Sequence, residues 1–187
     1  LTGITDHDAC GIGAVVNIDG RRTHSAVDDA LMFLSQAPSY KDAGWLSSAF
    51  FLMERMPRVS DVPSIGIPTW FYGHEPATPF ATHIAKYFDN SIREDVLLAI
   101  AKGGVIYSPG SAGTMQEVFQ DAAQNHYRTF GYESPMVFLD SEYWCERFPI
   151  YPLLQELARS GGYRNLLLSL VDTPYDAESA IMRFVGD

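Results

Sequence analysis

Short apolar runs alternate along the chain with longer segments in which apolar residues recur every three or four positions. The short runs predict strands, and the longer segments predict helices. Such alternation is typical of a mostly parallel sheet with helices packed on both faces. We therefore predict an α/β fold built on a doubly wound sheet of about five strands. The strands are expected near Ile12, Ile65, Val105, Met136 and Leu167.

The helical segments carry apolar stripes and recognisable end signals. Ser91 and Glu94 have the spacing of a capping box, with Ser91 as the N-cap. Thr173 and Pro174 are typical of the N-cap and first residue of a closing helix. Helices are predicted at about residues 25–34, 44–56, 80–88, 91–101, 115 onward, 152–158 and 174 onward. The expected inner faces are Leu46, Ala49, Phe50 and Met53 in the 44–56 helix, and Phe80, Ile84, Tyr87 and Phe88 in the 80–88 helix.

Composition narrows the class of protein. A length of 187 residues suits a single α/β domain over residues 1–187. A formal charge of −10 argues against nucleic acid and anionic membranes as partners, but a single nucleotide needs only a local positive site. The two cysteines, Cys10 and Cys145, give neither a disulfide framework nor metal-ligand spacing, which favours a cytoplasmic protein without a metal. No apolar run approaches the ~18 residues of a membrane span.

The most informative stretch runs from Gly104 to Glu117 and is predicted as a strand, a Gly-rich turn and the start of a helix. Thr114 and Glu117 are spaced as a capping box, with Thr114 as N-cap. Small residues in such a turn let backbone N–H groups approach an anion, and the helix dipole favours negative charge there. The pattern predicts a phosphate cradle with a carboxylate at its rim. The alternative is an ordinary turn whose Glu only caps the helix. The predicted apolar face of the helix is Met115, Val118, Phe119 and Ala122.

Residues 109–117, with the sequence PGSAGTMQE, resemble the PGGxGTxxE signature of the Lonely Guy family. The resemblance covers about residues 44–187 and is closest to the larger bacterial nucleotide nucleosidases. Ser111 stands where the family signature has its second glycine. The resemblance implies a Rossmann-like fold and a nucleotide phosphoribohydrolase, which cleaves a nucleoside 5′-monophosphate to free base and ribose 5-phosphate. It also implies a homodimer that uses no cofactor.

The resemblance assigns roles to individual positions. Arg93 and Glu117 correspond to the family's catalytic pair. Arg93 is predicted in the first turn of a helix, where the dipole disfavours a cation, so a functional reason for its position is expected. The alternative is a solvated surface arginine. The expected phosphate-binding residues are Gly110, Ser111, Ala112, Gly113 and Thr114.

The N-terminal segment of about residues 1–40 is atypical for that family. Residues 8–13 and 17–20 resemble the glutaminase N-terminus of glutamate synthase large subunits, and this resemblance fades near residue 34. There a cysteine, here Cys10, is an N-terminal nucleophile whose own amine serves as the base. Nine residues precede Cys10, which blocks that amine. The alternative for Cys10 is a small buried side chain beside a strand.

Two classes of function remain open from the sequence. The first is hydrolysis of the N-glycosidic bond of a nucleoside 5′-monophosphate. The second is a non-catalytic Rossmann-like protein that binds a nucleotide or another cofactor. Trp70, Phe71 and Tyr72 follow a predicted strand, so they either stack on a base or pack within the protein. His126 lies near a predicted helix end, where a structural role is expected.

Overall fold

A computed structural model of the chain describes residues 44–55, 64–70, 77–110 and 112–185. These residues belong to two compact units, the first ending at Arg93 and the second beginning at Glu94. The predictions for Cys10, the strand near Ile12 and the helix at 25–34 lie outside the described residues. The same holds for Phe71, Tyr72 and Ser111.

The described residues form a mixed α/β structure with two short parallel sheets. The helices are α1 (Trp45–Arg55), α2 (Asn90–Ile100), α3 (Ala112–Tyr127), α4 (Ile150–Arg159) and α5 (Pro174–Val185), with a π-helical turn at Tyr143–Arg147. The strands are β1 (Ile65–Gly66), β2 (His83–Ile84), β3 (Val105–Tyr107), β4 (Pro135–Leu139) and β5 (Leu167–Val171). One sheet pairs β1 with β2, and the other has the order β3-β4-β5. Within the described ranges, no helix is both long and apolar enough to cross a bilayer.

The three-stranded sheet of the second unit is covered on both faces. Its central strand β4 is buried at every position, as expected for a parallel strand between two helical layers. Phe138 packs into the larger apolar cluster, which includes Val118 of α3. Val137, on the opposite face, packs against Ala177 and Ala180 of α5. The predicted layering of helices on two faces is therefore confirmed for this sheet.

Most of the elements predicted from apolar patterns are confirmed. Strands occur at the four described positions, and the helices α1 to α5 match predicted segments to within a few residues. The closing helix begins at Pro174, and the backbone N–H of Asp176 donates to Oγ1 of Thr173 at 3.2 Å, as the capping signal predicts. The inner face predicted for α1 is wrong for Leu46 and Phe50, which are half exposed.

The helix predicted at residues 80–88 is wrong, because this segment forms β2 and a parallel ladder with β1. The N–H of Ala85 donates to the carbonyl of Gly66 at 3.0 Å, whereas a helix would direct it to Ala81. Ile84 and Phe88, two members of the predicted inner face, are exposed. A Cβ on Gly66 would lie 3.1 Å from that of Ala81, so the glycine permits the close approach.

The capping box predicted at Ser91 is also wrong. Helix α2 begins one residue earlier, and the Oδ1 atom of Asp89 accepts a hydrogen bond from the N–H of Ser91 at 2.8 Å. Asp89 is as good an N-cap as serine, and its carboxylate is favoured at the positive end of the helix. Glu94 is fully buried, and its Oε2 accepts from Nε2 of Gln116 at 2.5 Å.

Candidate functional site

The candidate site is the turn between β3 and α3 in the second unit. Strand β3 ends at Tyr107 and α3 begins at Ala112, so the predicted strand, turn and helix are present. The turn therefore lies at the carboxyl end of a parallel strand, the usual place for ligands in open α/β sheets. The first turn of α3 carries no acidic side chain. Its backbone N–H groups and its positive dipole end can therefore interact with an anion.

The N-cap role predicted for Thr114 is wrong, because α3 begins two residues before it. The small residues Ala112 and Gly113 enter the first helical turn, and Thr114 becomes the third helical residue and is fully buried. A Cβ on Gly110 would lie 2.1 Å from Oγ1 of Thr114, so only glycine fits at position 110. That hydroxyl has no hydrogen-bond partner among the described residues. A buried polar atom without a partner is unusual and is expected where a ligand supplies one.

A hydrogen bond from the segment that follows β4 holds this turn in place. Tyr143, in the π-helical turn after β4, donates its hydroxyl hydrogen to the carbonyl of Gly110 at 2.5 Å. The Tyr143 N–H in turn donates to Oδ1 of Asp140 at 2.9 Å. Asp140 has a φ of 87°, an uncommon conformation for a residue with a side chain. Sequence reasoning missed this support, although both residues follow directly after a predicted strand.

The inner face of α3 is half polar, which the apolar pattern did not predict. Val118 and Ala122 are buried as expected, whereas Met115 and Phe119 are only partly buried. Polar side chains share the buried face at helical spacing. They are Thr114, Glu117, Asp121 and Asn125. This spacing is the signal that could have revealed them, because polar residues can repeat on a helical face as apolar ones do.

Asp121 is the centre of a buried polar network. The Tyr107 hydroxyl donates to Oδ2 of Asp121 at 2.7 Å. Burial raises the pKa of Asp121 to about 7, although the hydrogen bond from Tyr107 acts in the opposite direction. Burial, together with the carboxylates of Asp121 and Glu117, raises the pKa of Tyr107 well above its ordinary value. Asn125 closes the network through the backbone N–H and carbonyl of Ser134, at 2.8 and 3.1 Å.

The two predicted catalytic residues are both buried. Glu117 is 1% exposed in the second unit, and Arg93 is 6% exposed in the first. The Nη1 atom of Arg93 donates to the carbonyl of Ile67 at 3.5 Å. A solvated surface arginine is therefore the wrong description of Arg93. The structure brings Gly110 against Thr114, and Glu117 lies one helical turn further along α3.

The other candidate residues have simpler surroundings. Trp70 is 53% exposed, its ring stacks on Phe88 at 5.9 Å, and Nζ of Lys86 lies 4.3 Å from the ring centroid. Nδ1 of His126 accepts a hydrogen bond from the N–H of Arg164 at 2.9 Å, which is a structural contact. Among the residues that the structure describes, no group of His, Cys, Asp and Glu side chains could hold a metal ion.

No protein-family model matches this chain, and no curated protein matches it. The resemblance of residues 109–117 to the PGGxGTxxE signature, and the roles that it implies for Arg93 and Glu117, therefore stay predictions.

Replacing Thr114 with Val tests whether the buried hydroxyl serves a ligand. Because this hydroxyl has no partner among the described residues, we expect the free energy of unfolding to be unchanged or to rise by about 1 kcal/mol. A bound oxyanion would lose a donor, so the increase in melting temperature caused by inorganic phosphate should shrink. Thermal melting with and without phosphate measures both effects. Thr114→Ser, which keeps the hydroxyl, should respond to phosphate like the wild type.

Proposed function

We propose that this protein hydrolyses the N-glycosidic bond of a nucleoside 5′-monophosphate and releases free base and ribose 5-phosphate. The observation that carries the proposal is the pair of buried polar side chains, Thr114 and Glu117, on the inner face of α3. They lie at spacing i and i+3, and the Thr114 side chain contacts Gly110, four residues earlier, leaving no room there for a larger residue. A buried hydroxyl and a buried carboxylate one helical turn apart support a site that binds an oxyanion and a ribose.

Glu117 is the proposed catalytic carboxylate. Cleavage of an N-glycosidic bond passes through a state in which the ribose carries positive charge, as in other glycoside hydrolyses. A carboxylate removed from bulk water stabilises that charge more strongly than an exposed one, because the surrounding dielectric is lower. Glu117 is almost completely buried, which supports this role. It would bind the ribose hydroxyls and take a proton from the attacking water.

The turn at residues 110–114 is the proposed phosphate-binding group. The 5′-phosphate would bind the backbone N–H groups at the start of α3 and the Thr114 hydroxyl. This part of the proposal involves residues 110–114, of which Ser111 lies outside the described residues. For Arg93, which lies in the first unit, the resemblance implies the other catalytic role, and its guanidinium is a planar, permanently charged donor for an oxyanion. Its burial argues for a specific task, since arginine is seldom buried without one.

The finer architecture is part of the same proposal. We infer a single Rossmann-like, doubly wound sheet of about five strands within one domain, and a homodimer that acts in the cytoplasm without a cofactor or metal. The three parallel strands β3-β4-β5, with helices on both faces, support the doubly wound arrangement. Sedimentation velocity of the purified protein tests the dimer, and a monomer at micromolar concentration would count against it.

The experiment is chromatography of AMP, GMP, IMP, CMP and UMP after incubation with the purified protein. We expect free base and ribose 5-phosphate from at least one nucleotide. Glu117→Gln should reduce turnover by about 1,000-fold or more, as loss of a catalytic carboxylate does in related chemistry, and should leave nucleotide binding largely intact. Glu156→Gln is the matched control, because Glu156 is an exposed carboxylate that pairs with Arg159 on α4. This control should behave like the wild type.

The outcomes separate the classes of function. Full turnover in Glu117→Gln would show that the assigned mechanism is wrong. If a nucleotide raises the melting temperature but no base is released, the protein is a non-catalytic nucleotide-binding module. Ammonia release from glutamine that disappears in Cys10→Ser would instead support the glutaminase resemblance of the N-terminal segment.

A further inference from the structure

Helix α3 carries a second buried acid one helical turn after the proposed catalytic carboxylate. Glu117 and Asp121 are at spacing i and i+4, and they are 1% and 2% exposed. Side chains at this spacing are neighbours, with Cβ atoms about 5–6 Å apart. Acidic residues are almost never fully buried without a specific reason, and here two share one helical face.

The surroundings of Asp121 hold it in one position. The Tyr107 hydroxyl, from β3, donates to Oδ2 at 2.7 Å, and Nδ2 of Asn125 lies 3.4 Å from Oδ1. Among the described residues, the carboxylate of Asp121 acts on Tyr107 and on Tyr132 in the segment after α3, and Glu117 lies one helical turn before it on the same buried face. All of these groups are neutral or acidic.

Tyr107 connects the two acids. It donates its hydroxyl hydrogen to Asp121, and the carboxylates of both Asp121 and Glu117 raise its pKa. Both acids are therefore close enough to Tyr107 to act on the same hydroxyl. In a site with little water, a negative charge on one carboxylate raises the proton affinity of a neighbouring carboxylate.

We propose that Asp121, held by the Tyr107 hydroxyl one helical turn from Glu117, is a positioning residue whose negative charge strengthens Glu117 as the base of the proposed hydrolysis. This inference rests on the proposed function for the role of Glu117. Asp121 touches neither the substrate nor the water in this scheme. It acts through Glu117, because a second negative charge raises the proton affinity of the base and favours the positively charged ribosyl state.

Because Asp121 is buried, it ionises near neutral pH. Its pKa is raised to about 7, so the second charge appears near neutral pH rather than at acidic pH. The value of kcat/KM should then rise as Asp121 ionises. We expect a rise of about tenfold, because neighbouring charges in a partly screened interior interact by more than the 1.36 kcal/mol that corresponds to a tenfold change.

The test is the pH profile of kcat/KM for the nucleotide that the wild type hydrolyses best. We expect a rise near pH 7 in the wild type, no such rise in Asp121→Asn, and a rise displaced to higher pH in Tyr107→Phe, which loses the donor that stabilises the charged acid. Asp95→Asn is the matched control, because Asp95 is an exposed acid of α2 that accepts a hydrogen bond from Gln120 of α3. It should keep the wild-type profile. A profile of unchanged shape in both Asp121→Asn and Tyr107→Phe overturns the proposal.

A second readout does not depend on activity. In protein labelled with ¹³C at its carboxyl carbons, the Glu117 resonance should show an inflection at the pH where Asp121 titrates, and Asp121→Asn should remove that inflection. If no nucleotide is hydrolysed but this coupling is present, the proposed function fails and the pairing of the two acids stands. If nucleotides are hydrolysed and Glu117 is insensitive to Asp121, the pairing fails and the proposed function stands. Tyr107→Phe provides the same test if Asp121→Asn does not fold.

Discussion

Replacing Trp144 with Ala is expected to lower the free energy of unfolding by about 3–5 kcal/mol. Trp144 is completely buried in the larger apolar cluster of the second unit. Its ring makes edge-on contacts with Phe138 and Tyr143, with centroids 5.1 and 5.0 Å apart, and its indole N–H donates to the carbonyl of Leu139 at 3.0 Å. The substitution removes all of these interactions and leaves a large cavity. Such a loss is comparable to the whole stability of many domains.

Urea unfolding followed by far-UV circular dichroism measures this effect without relying on tryptophan fluorescence. Trp144→Phe should cost less, roughly 1–3 kcal/mol, because it keeps most of the packing but removes the donor to a buried carbonyl. Trp70→Ala is the control, since Trp70 is half exposed, and a change of no more than about 1 kcal/mol is expected. Equal losses for Trp144→Ala and Trp70→Ala would contradict the packing described for the second unit.

The second large effect is a pH-dependent stability that Asp121 imposes on the fold. The pKa of this carboxyl is raised by burial from an ordinary 3.8 to about 7, so the folded protein binds the proton more tightly than the unfolded chain. The contribution of this tighter proton binding to the free energy of unfolding is fully present below about pH 3.8. It is lost as the pH rises through about 7. At 1.36 kcal/mol for each unit of pKa, the full change is roughly 4 kcal/mol.

Asp121→Asn should remove this dependence. Asparagine stays neutral, so the variant should have a stability close to that of the wild type at acidic pH and should exceed it increasingly as the pH approaches neutrality. Urea unfolding of both proteins at several pH values between about 4 and 8 measures the difference. In Asp95→Asn the free energy of unfolding should depend on pH as it does in the wild type, because Asp95 is exposed. A constant difference between Asp121→Asn and the wild type over this range would show that Asp121 does not bind its proton more tightly in the folded state.

Local signals in the sequence were sufficient for much of the second unit. The run ending at Tyr107, the small residues after it and the following periodic segment correctly predicted β3, the turn and α3. The Thr173–Pro174 signal correctly predicted the start of α5. These features depend on the chemistry of adjacent residues, and neighbouring residues along the chain are what a sequence displays directly.

Errors arose where a distant segment decided the outcome. Residues 80–88 have a helical apolar pattern, but pairing with β1 takes their backbone N–H groups, and short apolar runs are ambiguous between helix and strand. The hydrogen bond from the Tyr143 hydroxyl to the carbonyl of Gly110 joins residues 33 positions apart, and no local pattern indicates it. The N-cap predicted at Thr114 is an exception, because its error is local: the neighbouring Ala112 and Gly113 form the start of the helix, and Thr114 is its third residue.

The sequence by itself determined the α/β alternation and the succession of strand, small-residue turn and helix that carries Glu117. Only the tertiary structure decided that Arg93 is buried, that the Thr114 hydroxyl faces no protein partner among the described residues, and that Asp121 shares the buried face of α3. The physical reason is that secondary structure follows from short-range spacing and turn chemistry. Burial, pKa and hydrogen-bond partners depend on which distant segments pack against a side chain.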